Sequence, residues 1–285
     1  MVLAGACFAV VDTSAKVVAA SVPIVMAAAI RYLLQAGLST VVLMPMHGRA
    51  LFRVRHPWLQ AARGGLLASS TLLAMLGLQR MPVGEFTAIV MITPMVVTVL
   101  AVPLLKERVS MLHWLFVAGG FAGVLLIVKP GAQASLGWGA LYGLGCMVCS
   151  SLFQLLSNHL GRREHPATTH LCSTWLGATA GALALPFVWV TVDSALLWTL
   201  MVLMGVMGAG GHFVLAQAHQ KAPASILMPY MYAHIGFAVF GGWLVFSHVP
   251  DMTAIAGIGL IVACGVASAW WSARKRQAAG AMPET

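Results

Sequence analysis

Ten apolar runs, each about long enough to cross a bilayer as a helix, follow one another along the 285-residue chain with only short polar joints between them. They cover residues 2 to 20, 24 to 45, 60 to 78, 83 to 104, 112 to 129, 137 to 157, 168 to 191, 196 to 217, 224 to 246 and 253 to 272. With 60% hydrophobic and 8% charged residues, the chain lacks the charged quarter that a soluble domain uses to cover its surface. Lipid must therefore solvate most of it. No run alternates with period two between turn residues, which excludes a β-barrel, and helices are then what satisfies the backbone inside hydrocarbon. The expected fold is all-α and integral to the membrane, with ten transmembrane helices.

The ten runs divide into two sets of five. Gln79-Arg80-Met81-Pro82 returns as Gln220-Lys221-Ala222-Pro223, 141 residues downstream, and at the same offset Gly64 meets Gly205 and Ala68 meets Ala209. An odd number of crossings per copy turns the second copy over, so the expectation is two inverted five-helix repeats, at 1–131 and 136–273, with a basic, disordered tail at 274–285. Inverted repeats of this kind build carriers whose solute site lies between the halves.

Lys and Arg set the orientation. Arg49, Arg53, Arg55, Arg63, Lys106, Arg108, Arg162, Arg163, Lys221, Arg274, Lys275 and Arg276 gather on one side of this scheme, against Lys16, Arg80 and Lys129 on the other. Twelve against three places both termini in the cytoplasm of a cell whose inner membrane holds the chain. The net charge of +9 is used this way, in loops, and nucleic acid is not an expected partner. Met1-Val2-Leu3 opens the first run without a basic stretch or cleavage site, so the first segment is expected to be retained. All five cysteines fall inside apolar runs, and Cys146 and Cys149 lack the further thiols or histidines of a metal site, so packing is the expected role of that pair.

Ionisable groups within apolar runs are costly and point to function. Asp12 and Lys16 stand four apart on the first run, the acid preceding the base, and Arg31 lies in the second. Either Asp12 bridges Lys16 or Arg31 to hold helices together, or the three border a cavity and meet a charged solute. Pro94 and Pro229 interrupt the fourth and ninth runs, which correspond between the copies. Each proline removes a helical hydrogen bond, and paired breaks in matching segments mark hinges beside a transport site. Met91 and Thr93 precede Pro94, while Tyr230, Tyr232 and His234 follow Pro229. Ser69, Ser70 and Thr71 of the third run stand opposite Gly210, Gly211 and His212 of the eighth, and Gln154 and Gln217 add to the same set. Such a mixture of apolar wall and few polar groups suits a small-molecule pocket. Proton coupling through His212 and His234 is an open alternative to simple lining. Glu85 suits the positive N-terminal end of the fourth helix.

No Walker loop, G-x-S-x-G, H-E-x-x-H or paired in-membrane carboxylates occur, so no enzyme activity, ATP hydrolysis, cofactor or metal is expected. The run Phe8-Ala9-Val10-Val11-Asp12-Thr13-Ser14-Ala15-Lys16, then Ala29-Ile30-Arg31-Tyr32-Leu33-Leu34, and Thr87 through Pro94 followed by Leu104-Leu105-Lys106-Glu107-Arg108, resemble the drug/metabolite transporter superfamily, specifically its ten-helix EamA-type members. The resemblance extends over nearly the whole chain. It implies a central cavity lined by the first, third, fourth, sixth, eighth and ninth helices and opened alternately to either side. Glu107 matches the family's glutamate after the fourth helix, whereas the second copy has His248.

By that analogy the chain is expected to be a secondary transporter or facilitator of small metabolites, exporting amino acids or similar zwitterions. The alternatives are an importer of a vitamin or adenosyl compound and a non-transporting membrane interaction subunit. A small solute and the lipid bilayer are the expected partners, and the oligomeric state is left open.

Overall fold

The apolar runs become helices that begin where proline or a short polar joint interrupts them. A computed structural model of the protein describes every residue except 49, 50, 52, 53, 98–110, 129–133, 162, 163, 222–229 and 281–285. In chain order the helices are α1 (Val2–Ala19), α2 (Ile24–His47), α3 (Pro57–Leu78), α4 (Val83–Val90), α5 (Met111–Val128), α6 (Ala134–Gly161), α7 (Pro166–Val188), α8 (Ala195–Lys221), α9 (Ala233–Phe246) and α10 (Met252–Gly280). Pro57 and Pro166 sit in the first turns of α3 and α7, and Pro23 and Pro82 immediately precede α2 and α4. A missing N–H costs nothing there, since the first amides of a helix have no partner in any case.

Among the described residues, seven helices are long and apolar enough to cross a membrane: α1, α2, α3, α6, α7, α8 and α10. The apolar stretches of α4, α5 and α9 are shorter. The chain is thus a multi-pass helical membrane protein, and no strand occurs among the described residues.

Three expectations change. α10 continues as helix to Gly280, so residues 274–280 of the basic tail are not disordered; the tail's Ala, Arg, Lys and Gln are strong helix formers, and Arg274 stacks over Trp270 at 4.0 Å. Arg63 is not a loop residue but a buried one inside α3. The fourth run is not one uninterrupted helix: α4 ends at Val90, and a turn at Met91 and Ile92 separates it from a further helical stretch reaching Val97. Lys106, Glu107, Arg108 and Pro229 lie outside the described residues.

Helix packing follows one pattern. α2 packs on α7, α4 on α9 and α5 on α10, while α1 meets α8 and α9, and α6 meets α3 and α4; α2 with α8 and α3 with α7 complete the main set. Exchanging each of the first five helices with the one five places later leaves this set unchanged. Glycines set the closest approaches. Gly64 of α3 lies against Leu176 of α7, and Gly205 of α8 lies against Leu34 of α2 in the corresponding way. Where α5 crosses α10, a Cβ on Gly123 would come within 2.7 Å of the Gly257 carbonyl, and one on Gly257 within 2.6 Å of the Gly123 carbonyl. Backbones touch at that crossing, an approach that small residues permit and that dispersion contacts reward. The apolar core, including Met26, Met75, Leu78, Ile89, Ile92, Met201 and Met204, fills the space among these helices.

Candidate solute site

Polar side chains inside the bundle face one another across α1, α2, α3, α4, α8 and α9. On α1, Phe8, Asp12 and Lys16 recur every four residues and share one face. Of the alternatives open to Asp12, pairing with Lys16 does not form, because Lys16 has better acceptors. Its ammonium donates to the carbonyls of Leu78 at 2.6 Å and Met81 at 2.8 Å, at the end of α3 and in the turn before α4. Carbonyls at a helix C-terminus lack intrahelical donors and attract a cation. Lys16 is therefore a clamp between α1 and the α3–α4 turn, strengthened by Gln79, whose amide donates to the Ala19 carbonyl.

Asp12 instead meets one helix of each copy. Its Oδ2 accepts from the Thr87 hydroxyl of α4 at 3.3 Å and lies 3.1 Å from Nε2 of His234 on α9, at an angle outside hydrogen bonding. Aromatic rings continue from there. Phe8 stands 6.1 Å from the His234 ring and 5.0 Å, edge-on, from His212 of α8, which in turn stands 6.0 Å from His170 of α7.

α2 supplies a second polar face, since Arg31, Gln35 and Ser39 also recur every four residues. Ser39 is 3.1 Å from Nε2 of His170. Arg31 lies over the Tyr32 ring at 5.9 Å, and its Nε is buried with no hydrogen-bond partner among the described residues. Tyr32 donates to the Leu67 carbonyl at 3.1 Å and shares a 2.7 Å hydrogen bond with Thr71.

The remaining expected site residues divide. Thr71 joins the polar face through Tyr32, and Met91 is buried at the break after α4. Thr93 and Ser70 turn inward on their own helices, donating to the carbonyls of Val90 at 2.6 Å and Leu67 at 2.8 Å. Gln154 and Gln217 are half-buried. Ser69 and Tyr230 are exposed. Tyr232 is buried against Gly265 of α10, so its ring packs between helices. Nor do Ser69 to Thr71 face Gly210 to His212: α3 packs on α6 and α7, whereas α8 packs on α1 and α2. Gly210 has open space where a side chain would go, and it is Gly211 that meets Phe8 and Cys7.

Gln35, Thr87, Arg63, His170 and Glu164 were not among the site residues expected from the sequence. Gln35 and Thr87 carried a usable signal, each being a polar residue one turn or less from a residue already singled out in an apolar run. Arg63 and Glu164 instead organise one end of the bundle. Arg63 donates to Ser157 at 2.7 Å, the Thr169 carbonyl at 2.8 Å and Ser173, and its guanidinium covers the Phe153 ring at 4.3 Å. Glu164, in the joint between α6 and α7, accepts from the His56 amide at 2.8 Å, the Arg55 amide at 3.2 Å and the Gln60 side chain at 2.7 Å, with His56 Nδ1 at 3.2 Å. Burial alone would raise its carboxyl, but hydrogen bonds from Gln60, His56 and Arg55 outweigh burial and hold it below the ordinary carboxylate range. At the opposite end Glu85, in the first turn of α4, meets His248 Nε2 after α9 at 3.1 Å.

An apolar surface groove on α10, lined by Gly259, Val262, Ala263, Val266, Ala267 and Trp270, contains none of these polar residues. A model of the EamA-like transporter family matches residues 1–129 and again 137–268. The chain belongs to that family. Among EamA relatives, a riboflavin transporter of Vibrio cholerae is 26% identical over 96% of this chain and 93% of its own. The pseudopaline exporter CntI of Pseudomonas aeruginosa is 29% identical over 92% of each. A solved crystal structure at 18% identity superposes with a TM-score of 0.66, covering 96% of this chain and 98% of that one, and so shares the fold. The protein is accordingly a small-molecule transporter of the drug/metabolite type, and its relatives are named as transporters, not enzymes.

Proposed function

We propose that the protein carries a small zwitterion, an amino acid or a compound like one, outward across the inner membrane by alternating access. The two halves, 1–131 and 136–273, act as inverted five-helix repeats with ten crossings and both termini in the cytoplasm. Support for the inversion comes from the packing pattern, which is unchanged when the halves are exchanged, and from the matched glycine contacts of Gly64 and Gly205. Support for a zwitterion comes from a single arrangement: a cation, Arg31 on α2, whose buried Nε has no hydrogen-bond partner among the described residues, and an acid, Asp12 on α1, beside Thr87 and His234, do not pair with each other. A solute with an anionic and a cationic end complements that arrangement. Of the residues expected to bind it, Asp12, Arg31, His212 and His234 are the ones this reading keeps in contact with solute. Lys16, held by two carbonyls, instead closes one end. Pro94 and Pro229 remain the proposed hinges.

Export is supported by the likeness to the pseudopaline exporter. The test is counterflow of a panel of labelled amino acids in proteoliposomes. Saturable exchange that falls at least tenfold in Arg31→Gln and Asp12→Asn is expected. Exchange of no member of the panel contradicts the zwitterion reading.

The likeness to a riboflavin transporter over 96% of the chain favours a second reading, import of a vitamin-like compound. Under it, riboflavin competes in the same assay and amino acids do not. Exchange rates that respond to a pH gradient would add proton coupling, with His212 and His234 as the groups to test.

A further inference from the structure

Among the described residues, polar contacts tie the two copies together unequally at the two ends of the bundle. At one end Glu164 of the second copy accepts from the Arg55 and His56 amides and from the Gln60 side chain of the first, while Arg63 of the first donates to Ser157, the Thr169 carbonyl and Ser173 of the second. At the other end a carboxylate meets an imidazole: Glu85 Oε1, in the first turn of α4, lies 3.1 Å from Nε2 of His248, two residues past α9. Between the ends, Thr87 and His234 of the polar interior are 1% and 6% exposed, so neither end stands open.

The turn that delivers His248 holds it in one position. Ser247 has φ 52° and ψ 25°, the left-handed conformation, and among the described residues no other non-glycine residue has a positive φ. Its amide donates to the Trp243 carbonyl at 2.9 Å and that of His248 to the Gly242 carbonyl at 3.3 Å, which closes α9 and leaves the His248 ring beside the start of α4. A residue with a side chain adopts that conformation at a cost that the contacts around it must offset.

We propose that Glu85 and His248 are the latch of the transport path: their separation opens the interior at that end, while the end held by Glu164 and Arg63 stays shut. The assignment rests on the transporter reading above and names the residues that regulate access to its site. Relative cost decides which end yields. Opening the Glu164 end strips a buried carboxylate of three donors and a buried guanidinium of three acceptors, and buried charged groups left unmatched are strongly unfavourable. Opening the Glu85 end separates one pair. The His248 side chain, 39% exposed, already reaches water. Glu85 keeps the positive N-terminal end of α4 and the nearby charge of Lys16, which does not leave with the other copy because the Leu78 and Met81 carbonyls of its own copy hold it.

In full-length protein whose five native cysteines are replaced, Thr87→Cys reports on the interior, and Val249→Cys, placed separately at a position 65% exposed beside the latch, identifies the membrane side on which the latch lies. A membrane-impermeant maleimide is added to sealed vesicles from that side. Glu85→Ala and His248→Ala each speed labelling of position 87 by about tenfold or more, the population shift that follows from losing a hydrogen bond to a charged group. Labelling of position 249 is unchanged, and reagent added from the opposite side labels position 87 no faster in either variant. The pair Glu85→Cys and His248→Cys, joined by a bifunctional methanethiosulfonate reagent, no longer exchanges labelled amino acids or riboflavin in counterflow, and reduction of the cross-link restores exchange. The latch is overturned if both alanine variants label at the native rate, if labelling rises equally from both sides, or if the cross-linked protein exchanges as fast as the reduced one. Where thermal unfolding shows that an alanine variant has not folded, the cross-linked pair decides. Faster labelling in the variants without any exchange by the native protein keeps the latch and contradicts the solute reading, whereas exchange by the native protein with labelling unchanged removes the latch and leaves transport.

Discussion

The Thr93 hydroxyl donates to the Val90 carbonyl at 2.6 Å. That carbonyl is the acceptor which the absent amide of Pro94 would otherwise have bonded, so the side chain one residue earlier takes over the lost helical bond. The break after α4 is thereby tolerated within an apolar environment, and the helix can bend there without exposing an unsatisfied acceptor. Thr93→Val keeps the shape and removes the donor. It is expected to destabilise the protein by about 1–3 kcal/mol, the cost of orphaning a buried acceptor, while Thr93→Ser restores stability. Thermal unfolding of the three proteins measures this, and equal stability of Thr93→Val and the native chain would refute it.

Lys16 and Asp12 make opposite predictions although they share a helix face. Lys16→Met removes two hydrogen bonds from a charged donor to the Leu78 and Met81 carbonyls, so a fall in stability of about 2 kcal/mol or more is expected, with solute affinity retained. Asp12→Asn leaves stability nearly intact and weakens solute binding. Paired Tm and Kd measurements distinguish the two. The reverse pattern would mean that Lys16 meets the solute.

Glu164 gives a dependence on pH. Its folded pKa lies below the usual 4.5, so the ionised carboxylate contributes stability fully above that value, and the contribution is lost as pH falls through the folded pKa. Glu164→Gln should therefore lower Tm at neutral pH and narrow the difference from the native protein at acid pH below that range. A constant difference across pH would show that the charge is not what the donors from His56, Arg55 and Gln60 hold.

The α5–α10 crossing is sensitive to a single methyl. A Cβ on Gly123 meets a backbone carbonyl, which cannot rotate aside as a side chain can. Gly123→Ala and Gly257→Ala should each cost about 1–3 kcal/mol by overpacking, and Gly259→Ala, with open space around it, should cost nothing measurable. Similar Tm values for all three variants would contradict the packing described.

Much of this was legible in residue order. The long apolar runs located α1, α2, α3, α5, α6, α7 and α8 to within a few residues, because hydrocarbon leaves the backbone no other local solution, and Pro94 marked the break in the fourth run, whereas the start of α9 and the extension of α10 to Gly280 were not read. Asp12 and Arg31 stood out because charge in an apolar run is rare. What order could not supply is which face of each helix meets which neighbour. Spacing allowed Lys16 to pair with Asp12, yet the end of α3 and the turn after it, 62 and 65 residues away, offered two carbonyls. Ser69 and Tyr230 were singled out by proximity in sequence and are exposed, whereas Ser70, rotated by about 100° from Ser69, is buried. Gln35 gained its interest only when both of its amide atoms were seen to be buried without a hydrogen-bond partner among the described residues.

Two halves inverted about a shared polar interior are the centre of the account. Single cysteines placed at Arg80 and at Lys221 in a cysteine-free background, labelled from one side of sealed right-side-out vesicles with a membrane-impermeant maleimide, test it directly. The expected result is labelling at position 80 and protection at position 221 until the vesicles are opened. Labelling of both positions from the same side would contradict the inversion and with it the alternating-access mechanism.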